Sequence, residues 1–294
     1  MTSPELLAIN GKGFWTTVQN RKNTKNYLHG KDGTLQYMVF DDTVKMEPFV
    51  RTKEIMFEAT AIGATKANDY LATINAQVYG MTAAGFVDYG IGDDAVDPST
   101  IIPEGVTVFG KKVIAGKGAP LNFYIANLIP SKFTTGTPYR FGFGLAPHSV
   151  DAAIGGAGPL IVNSLPYGKI NRYKSGVALG RKIGQPTPEN AKNLTQRSNA
   201  TFTAFTKHGA APRTGITAIA HNVKQKKLIV MVHPDNSGDL SLPSLRKKLL
   251  SVGCDNAIFL DGSDSSFLMV EGTFIARPAP SKNKTNVVGI GFKY

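Results

Sequence analysis

Two carboxylates and three hydroxyls crowd one short stretch of the sequence. Asp261-Gly262-Ser263-Asp264-Ser265-Ser266 separates two apolar runs, residues 257–260 and 267–270. A carboxylate at the end of a buried strand is poorly hydrated and needs hydrogen bonds or a cation. Gly262 lets the backbone turn or lets a ligand approach closely, and the hydroxyls of Ser263, Ser265 and Ser266 can donate to carboxylates or to a sugar. The plain alternative is an Asp–Gly hairpin whose serines close the turn. Residue physics alone favours that alternative.

Three further stretches change the balance. They are Thr73-Ile74-Asn75-Ala76-Gln77-Val78-Tyr79-Gly80, the glycine run Gly155-Gly156-Ala157-Gly158-Pro159-Leu160, and Ala211-Pro212-Arg213-Thr214-Gly215-Ile216. With the 256–266 segment and the helical pattern before it, in this order, they resemble the phosphodiester glycosidase family. The matching signatures are I-N-x-x-x-[FY] at 74–79, G-P-L-[ILV] at 158–161, P-R-T-[AG]-[IV] at 212–216, and most of N-A-x-x-L-D-G-G-x-S-S at 256–266. The resemblance runs from about residue 70 to the C-terminus. The chain departs from the pattern at Ser263, where the family has a second glycine, at Asp264, where a small residue is usual, and at His233, where an acidic one is.

The resemblance implies hydrolysis of a sugar C1–O bond whose leaving group is a phosphate ester, as in a GlcNAc-1-phosphodiester. Charge grows on the phosphate as that bond breaks, so a guanidinium beside it is valuable; Arg213 is the candidate. Asp261 is the candidate carboxylate that stabilises the oxocarbenium-like sugar or activates water, with Asp264 as its partner. Substrate-binding roles fall to Asn75, Tyr79, Gly155, Gly156, Thr214, Gly262, Ser263 and Ser265: an amide for a sugar hydroxyl or N-acetyl group, a ring to stack on it, and backbone N–H groups within reach. The alternative is a non-catalytic protein of the same fold that holds a glycan or nucleotide.

Other chemistries find less support. Ile154–Pro159 has glycines but no acidic residue placed as a dinucleotide fingerprint needs. Asp235-Asn236-Ser237-Gly238-Asp239 and 261–264 each look like half a calcium loop without the closing Glu. No cofactor and no protein metal site is therefore expected, although a divalent cation such as calcium stays open. The five histidines lack ligand spacing, and no G-x-S-x-G elbow exists. With 33 basic and 21 acidic residues the net charge is +12, which suits an anionic sugar-phosphate partner such as a phosphodiester-linked polymer. Nucleic acid is the lesser reading of that charge, because no RNP, zinc-finger or basic heptad pattern accompanies it. Cys254 is the sole cysteine, which excludes an intrachain disulfide and reads as a small buried group. The N-terminus lacks the basic region of a signal peptide and no apolar stretch nears ~20 residues. These features fit a soluble protein, cytoplasmic or equally phage-encoded and carried in a virion.

The elements that must position these residues read best in the last third. Residues 214–220 and 228–232 predict paired strands around a polar turn at 221–227. Residues 241–253 predict an amphipathic helix, with Ser241 as cap, Pro243 in the first turn and Gly253 as stop. Strands at 257–260, 267–270 and 287–292 follow. Upstream, 35–40 predicts a strand within a strand-rich segment 1–60 belonging to the same domain as 61–294, and the basic stretch 168–211 predicts a loop insertion. The sum is an α/β (α+β type) fold with a mixed, mainly antiparallel sheet and packed helices.

Overall fold

The computed structural model describes residues 3–21, 26–50, 70–75, 78–82, 85–87, 101–103, 107–115, 123–128, 136–143, 150–156, 158–166, 177–178, 181–182, 215–238, 240–260, 266–277 and 288–294. Among them the chain forms 23 strands and only two helices. The α/β expectation is thereby overturned: the fold is predominantly β. Of the 168–211 stretch, only the short strands Val177–Ala178 and Arg181–Lys182 lie within the described residues.

An eight-stranded sheet forms the centre. Its order is Glu5–Leu6, Tyr27–Asp32, Leu35–Asp41 and Lys227–His233, then Ile216–Asn222, Asn256–Phe259, Gly158–Val162 and Leu165–Pro166. Its pairings are antiparallel except that of Glu5–Leu6 with Tyr27–Asp32. The hairpin of Ile216–Asn222 and Lys227–His233 aligns Ile216 with His233 and Asn222 with Lys227. Its turn is only four residues, 223–226, so His221 and Asn222 are buried strand residues rather than turn.

Alternation along these strands divides two cores. Met38, Phe40, Leu228, Val230, Val232, Ile219, Ile258 and Leu260 face one of them. That core is completed by Met46, Ile74, Leu268, Val270, Ile290 and Phe292 from a second sheet, by Val44 just before it, and by Phe123, Ile125, Tyr139 and Ile154 from a third. Tyr37, Val39, Ile229, Met231, Ala218 and Phe259 face the other way, onto both helices. Runs such as Leu228-Ile229-Val230-Met231-Val232 are apolar throughout because both faces are covered. A sheet coated by helices on each side produces the same run, which is why the sequence suggests α/β. Here one of the two covers is made of strands.

The helix Leu242–Ser251 forms as its caps dictate. The Ser241 side chain accepts from Ser244 N–H, Pro243 occupies the first turn, and Gly253 follows in the left-handed region at φ 74°. Leu242, Leu245 and Leu249 bury its apolar stripe. The helix Gly13–Arg21 was not foreseen in a segment that reads as strands and loops. Phe14, Trp15 and Val18 make its buried face, and the Trp15 indole N–H donates to the Val252 carbonyl at 2.6 Å, tying one helix to the end of the other. Cys254 is buried there, its thiol pKa pushed well up by desolvation.

His29 is buried within Tyr27–Asp32, and neither ring nitrogen has a hydrogen-bond partner among the described residues. Burial lowers its pKa below 6.5, and Gln36 beside it opposes this only in part, its amide lying outside hydrogen-bond geometry with the ring. The native ring therefore stays neutral where the unfolded chain takes up a proton. Stability should be complete above pH 6.5 and fall as pH drops through the window between 6.5 and the lower native pKa. Urea titrations of wild type and His29→Phe between pH 7.5 and 5 check this. The wild-type curve should slope more steeply below pH 6.5 than the variant's.

Candidate active site

The strands that flank residues 261–265 are not hairpin partners. Asn256–Phe259 pairs with Ile216–Asn222 and Gly158–Val162 in the central sheet. Leu268–Val270 pairs instead with Ala72–Asn75 and Thr273–Ala276 in the second sheet. The strands before and after residues 261–265 thus belong to two different sheets, and Leu260 and Ser266, on either side of that stretch, are buried. The hairpin alternative fails because the flanking strands are not partners.

Pairing registers bring the other motif stretches to the same place. Phe259 lies opposite Ala218 on one side and opposite Gly158 on the other. Leu260 N–H donates to the Thr217 carbonyl at 2.8 Å, one residue from the start of Ile216–Asn222. Gly158 begins its strand, two residues after the Val150–Gly156 strand of the third sheet ends. Asn75 ends Ala72–Asn75, and Ile74 lies opposite Leu268. One end of the central sheet therefore gathers the starts of two strands and the ends of two others.

A buried polar cluster occupies this end. Asn75 is 1% exposed, and its Oδ1 accepts from the Thr217 hydroxyl at 2.6 Å and from Phe267 N–H at 3.1 Å. The Ser266 hydroxyl lies 3.4 Å from that of Thr217. Thr217 and Ser266 are fully buried. Beside them, Asp235 Oδ1 accepts from Gly215 N–H at 3.0 Å, and its Oδ2 accepts from the Asn236 amide at 2.9 Å. A carboxylate thus stands two residues beyond His233. The His233 ring itself is buried, with Nε2 3.5 Å from the Ser237 hydroxyl.

Of the residues singled out from sequence, Asp261, Gly262, Ser263, Asp264, Ser265, Arg213 and Thr214 lie outside the described residues. Tyr79 belongs to Val78–Thr82, in a separate three-stranded sheet, and its side chain also lies outside them. Gly155 and Gly156 pair with Tyr124 and Phe123 in the third sheet. Asn75 lies within the described residues, and its carbonyl oxygen is turned inward onto protein donors. Thr217, Ser266 and Asp235 were not singled out as site residues. Thr217 was visible as the one hydroxyl in the apolar run 216–220, and a lone polar residue in a buried strand demands a partner. Among the described residues no group of three or more His, Cys, Asp or Glu could hold a metal ion. Nor is any helix among them long and apolar enough to cross a membrane.

A profile of the phosphodiester glycosidase family matches residues 68–292. The chain belongs to that family. Solved structures agree at the level of fold. The catalytic domain of zebrafish N-acetylglucosamine-1-phosphodiester alpha-N-acetylglucosaminidase, auto-inhibited by its pro-peptide, is similar at TM-score 0.57 and 14% identity, over 97% of this chain and 87% of that one. A putative exported protein from Burkholderia pseudomallei is similar at TM-score 0.51 and 11% identity, over 88% of this chain and 74% of that one. A comparison with curated proteins finds no match. The family segment begins at residue 68, yet upstream of it Leu35–Asp41 pairs directly onto Lys227–His233, Tyr27–Asp32 onto Leu35–Asp41, and Glu5–Leu6 onto Tyr27–Asp32 in the central sheet.

The contact between Asp235 and buried Gly215 holds the segment that follows Arg213 and Thr214. Asp235→Ala should leave the Gly215 N–H without its acceptor and lower stability by about 1–3 kcal/mol in urea titrations. Asp235→Asn, which keeps an acceptor oxygen, should lose clearly less.

Proposed function

We propose that this member of the phosphodiester glycosidase family hydrolyses the C1–O bond of a sugar-1-phosphodiester of the N-acetylglucosamine type. Water adds to C1, the C1–O bond breaks, and the products are a reducing sugar and a phosphate monoester. The observation that carries the reading is the family match over 68–292 together with the convergence of strand ends that bracket its motifs. Chain connectivity supports it further. Asp261 is bonded to Leu260 and Arg213 is two residues from Gly215, and consecutive Cα atoms are only about 3.8 Å apart. Leu260 and Gly215 both belong to the end of the sheet where the Asn75 cluster lies.

In this mechanism Arg213 neutralises the charge that builds on the departing phosphate. Asp261 stabilises the oxocarbenium-like sugar or activates the attacking water, and Asp264 assists it. The distance between the two carboxylates decides whether configuration is retained or inverted. A phosphate monoester is a good leaving group, so the demand for a strong general acid is small. The net charge of +12 favours an anionic substrate, such as a polymer with phosphodiester-linked sugars or a sugar nucleotide.

Incubation with a GlcNAc-1-phosphodiester, the methyl ester of N-acetylglucosamine 1-phosphate, followed by assay of reducing sugar, tests this. Wild type should release it, Asp261→Asn should fall to background, and Arg213→Met should lose about 10²–10³ in kcat. If no variant and no wild type turns over while ligand still raises the melting temperature, the protein binds such glycans without cleaving them.

A further inference from the structure

We infer that Thr217 and Asn75 are positioning residues for the sugar-phosphodiester chemistry, which hold in register the two strand ends between which Asp261 lies in sequence. The inference rests on the proposed activity but is drawn from other atoms. Leu260, the residue before Asp261, is fixed through its N–H to the Thr217 carbonyl at 2.8 Å. Phe267, on the far side of the segment, is fixed through its N–H to Asn75 Oδ1 at 3.1 Å. The Thr217 hydroxyl closes the circuit by donating to the same Oδ1 at 2.6 Å. One residue thus grips both flanks, Leu260 directly through its backbone and Phe267 through the carboxamide of Asn75.

The arrangement spans the sandwich. Thr217 belongs to the central sheet, while Asn75 and Phe267 belong to the second sheet or its immediate flank. All three are buried, with Thr217 at 0% and Asn75 at 1% exposure. In such surroundings a lost hydrogen bond is not replaced by bulk water, and the acceptor left behind favours a shifted geometry. A carboxylate that must meet a reacting carbon is sensitive to displacements of about 1 Å, which can cost about 10²-fold in rate. Asn75 accordingly acts through the chain it holds, rather than as a sugar ligand through its carbonyl oxygen.

Thr217→Val keeps the β-branched shape and removes only the hydroxyl. With the methyl ester of N-acetylglucosamine 1-phosphate as probe, its kcat should fall by about 10²-fold while KM stays close to wild type. Thr217→Ser should restore most of the rate. Hydrogen–deuterium exchange of the peptide covering 261–267 should quicken in Thr217→Val and return in Thr217→Ser, with melting temperatures recorded for each. Should Thr217→Val fail to fold, Thr217→Ala carries the same comparison. Unchanged exchange, or faster exchange with unchanged kcat in an active enzyme, overturns the inference. So does a loss confined to KM. If wild type releases no sugar yet exchange responds as expected, the anchor stands and the proposed activity is what falls.

Discussion

A sheet covered on both faces can present polar chemistry only at its strand ends, and that constraint shapes this protein. Leu228 to Val232 and Ala218 to Ala220 have no solvent on either side. Any carboxylate, guanidinium or amide placed along them would be desolvated at a cost of several kcal/mol unless paired. The motif residues therefore fall just beyond the apolar stretches: after Leu260, before Ile216, before Gly158 and at Asn75. Pairing register then does the assembly, because residues opposite Phe259 on both sides must share its end of the sheet.

Polar and aromatic contacts hold the layers in alignment near each end of Ile216–Asn222. At one end Thr217 and Asn75 join the central sheet to the second. Near the other, the buried His221 Nε2 lies 3.4 Å from Asp42 Oδ2, and its ring stacks on Phe141 of the third sheet at 6.4 Å and 13°. Close by, Asn127 Oδ1 accepts from Met46 N–H at 2.8 Å, and the Tyr139 hydroxyl donates to the Val44 carbonyl at 2.5 Å. These contacts join the second and third sheets. Apolar surfaces alone allow sheets to slide by a residue with little change in buried area. A buried polar group allows no such latitude, since a slip leaves both partners unmet.

Much of the local structure was legible because its signals are local. The helix Leu242–Ser251 was written in Ser241, Pro243 and Gly253, and the 216–233 hairpin in its two apolar runs around a lysine-rich turn. The turn was read too long, because His221 looks like a turn residue until Asp42 and Phe141 are beside it. Likewise Phe14, Trp15 and Val18 carry a helical face, but nine residues without a cap give a weak pattern that gains meaning only against the Leu242–Ser251 helix. The α/β reading failed for a definite reason. An apolar run reports that both faces are buried and is silent on whether helices or strands bury them.

The candidate site divides in the same way. Its motifs and their order were open to reading from the sequence through their resemblance to the phosphodiester glycosidase family, which the match over 68–292 bears out, whereas residue type alone favoured a plain turn. That the strands on either side of 261–265 lie in different sheets, that Thr217 and Ser266 share a buried cluster with Asn75, and that Asp235 accepts from Gly215 N–H were decided only in three dimensions. Each depends on residues far apart in the chain, such as Asn75 with Thr217 and Gly215 with Asp235. Hydrogen-bond partners at that separation leave no periodicity to read, because what brings them together is the packing of one whole sheet on another.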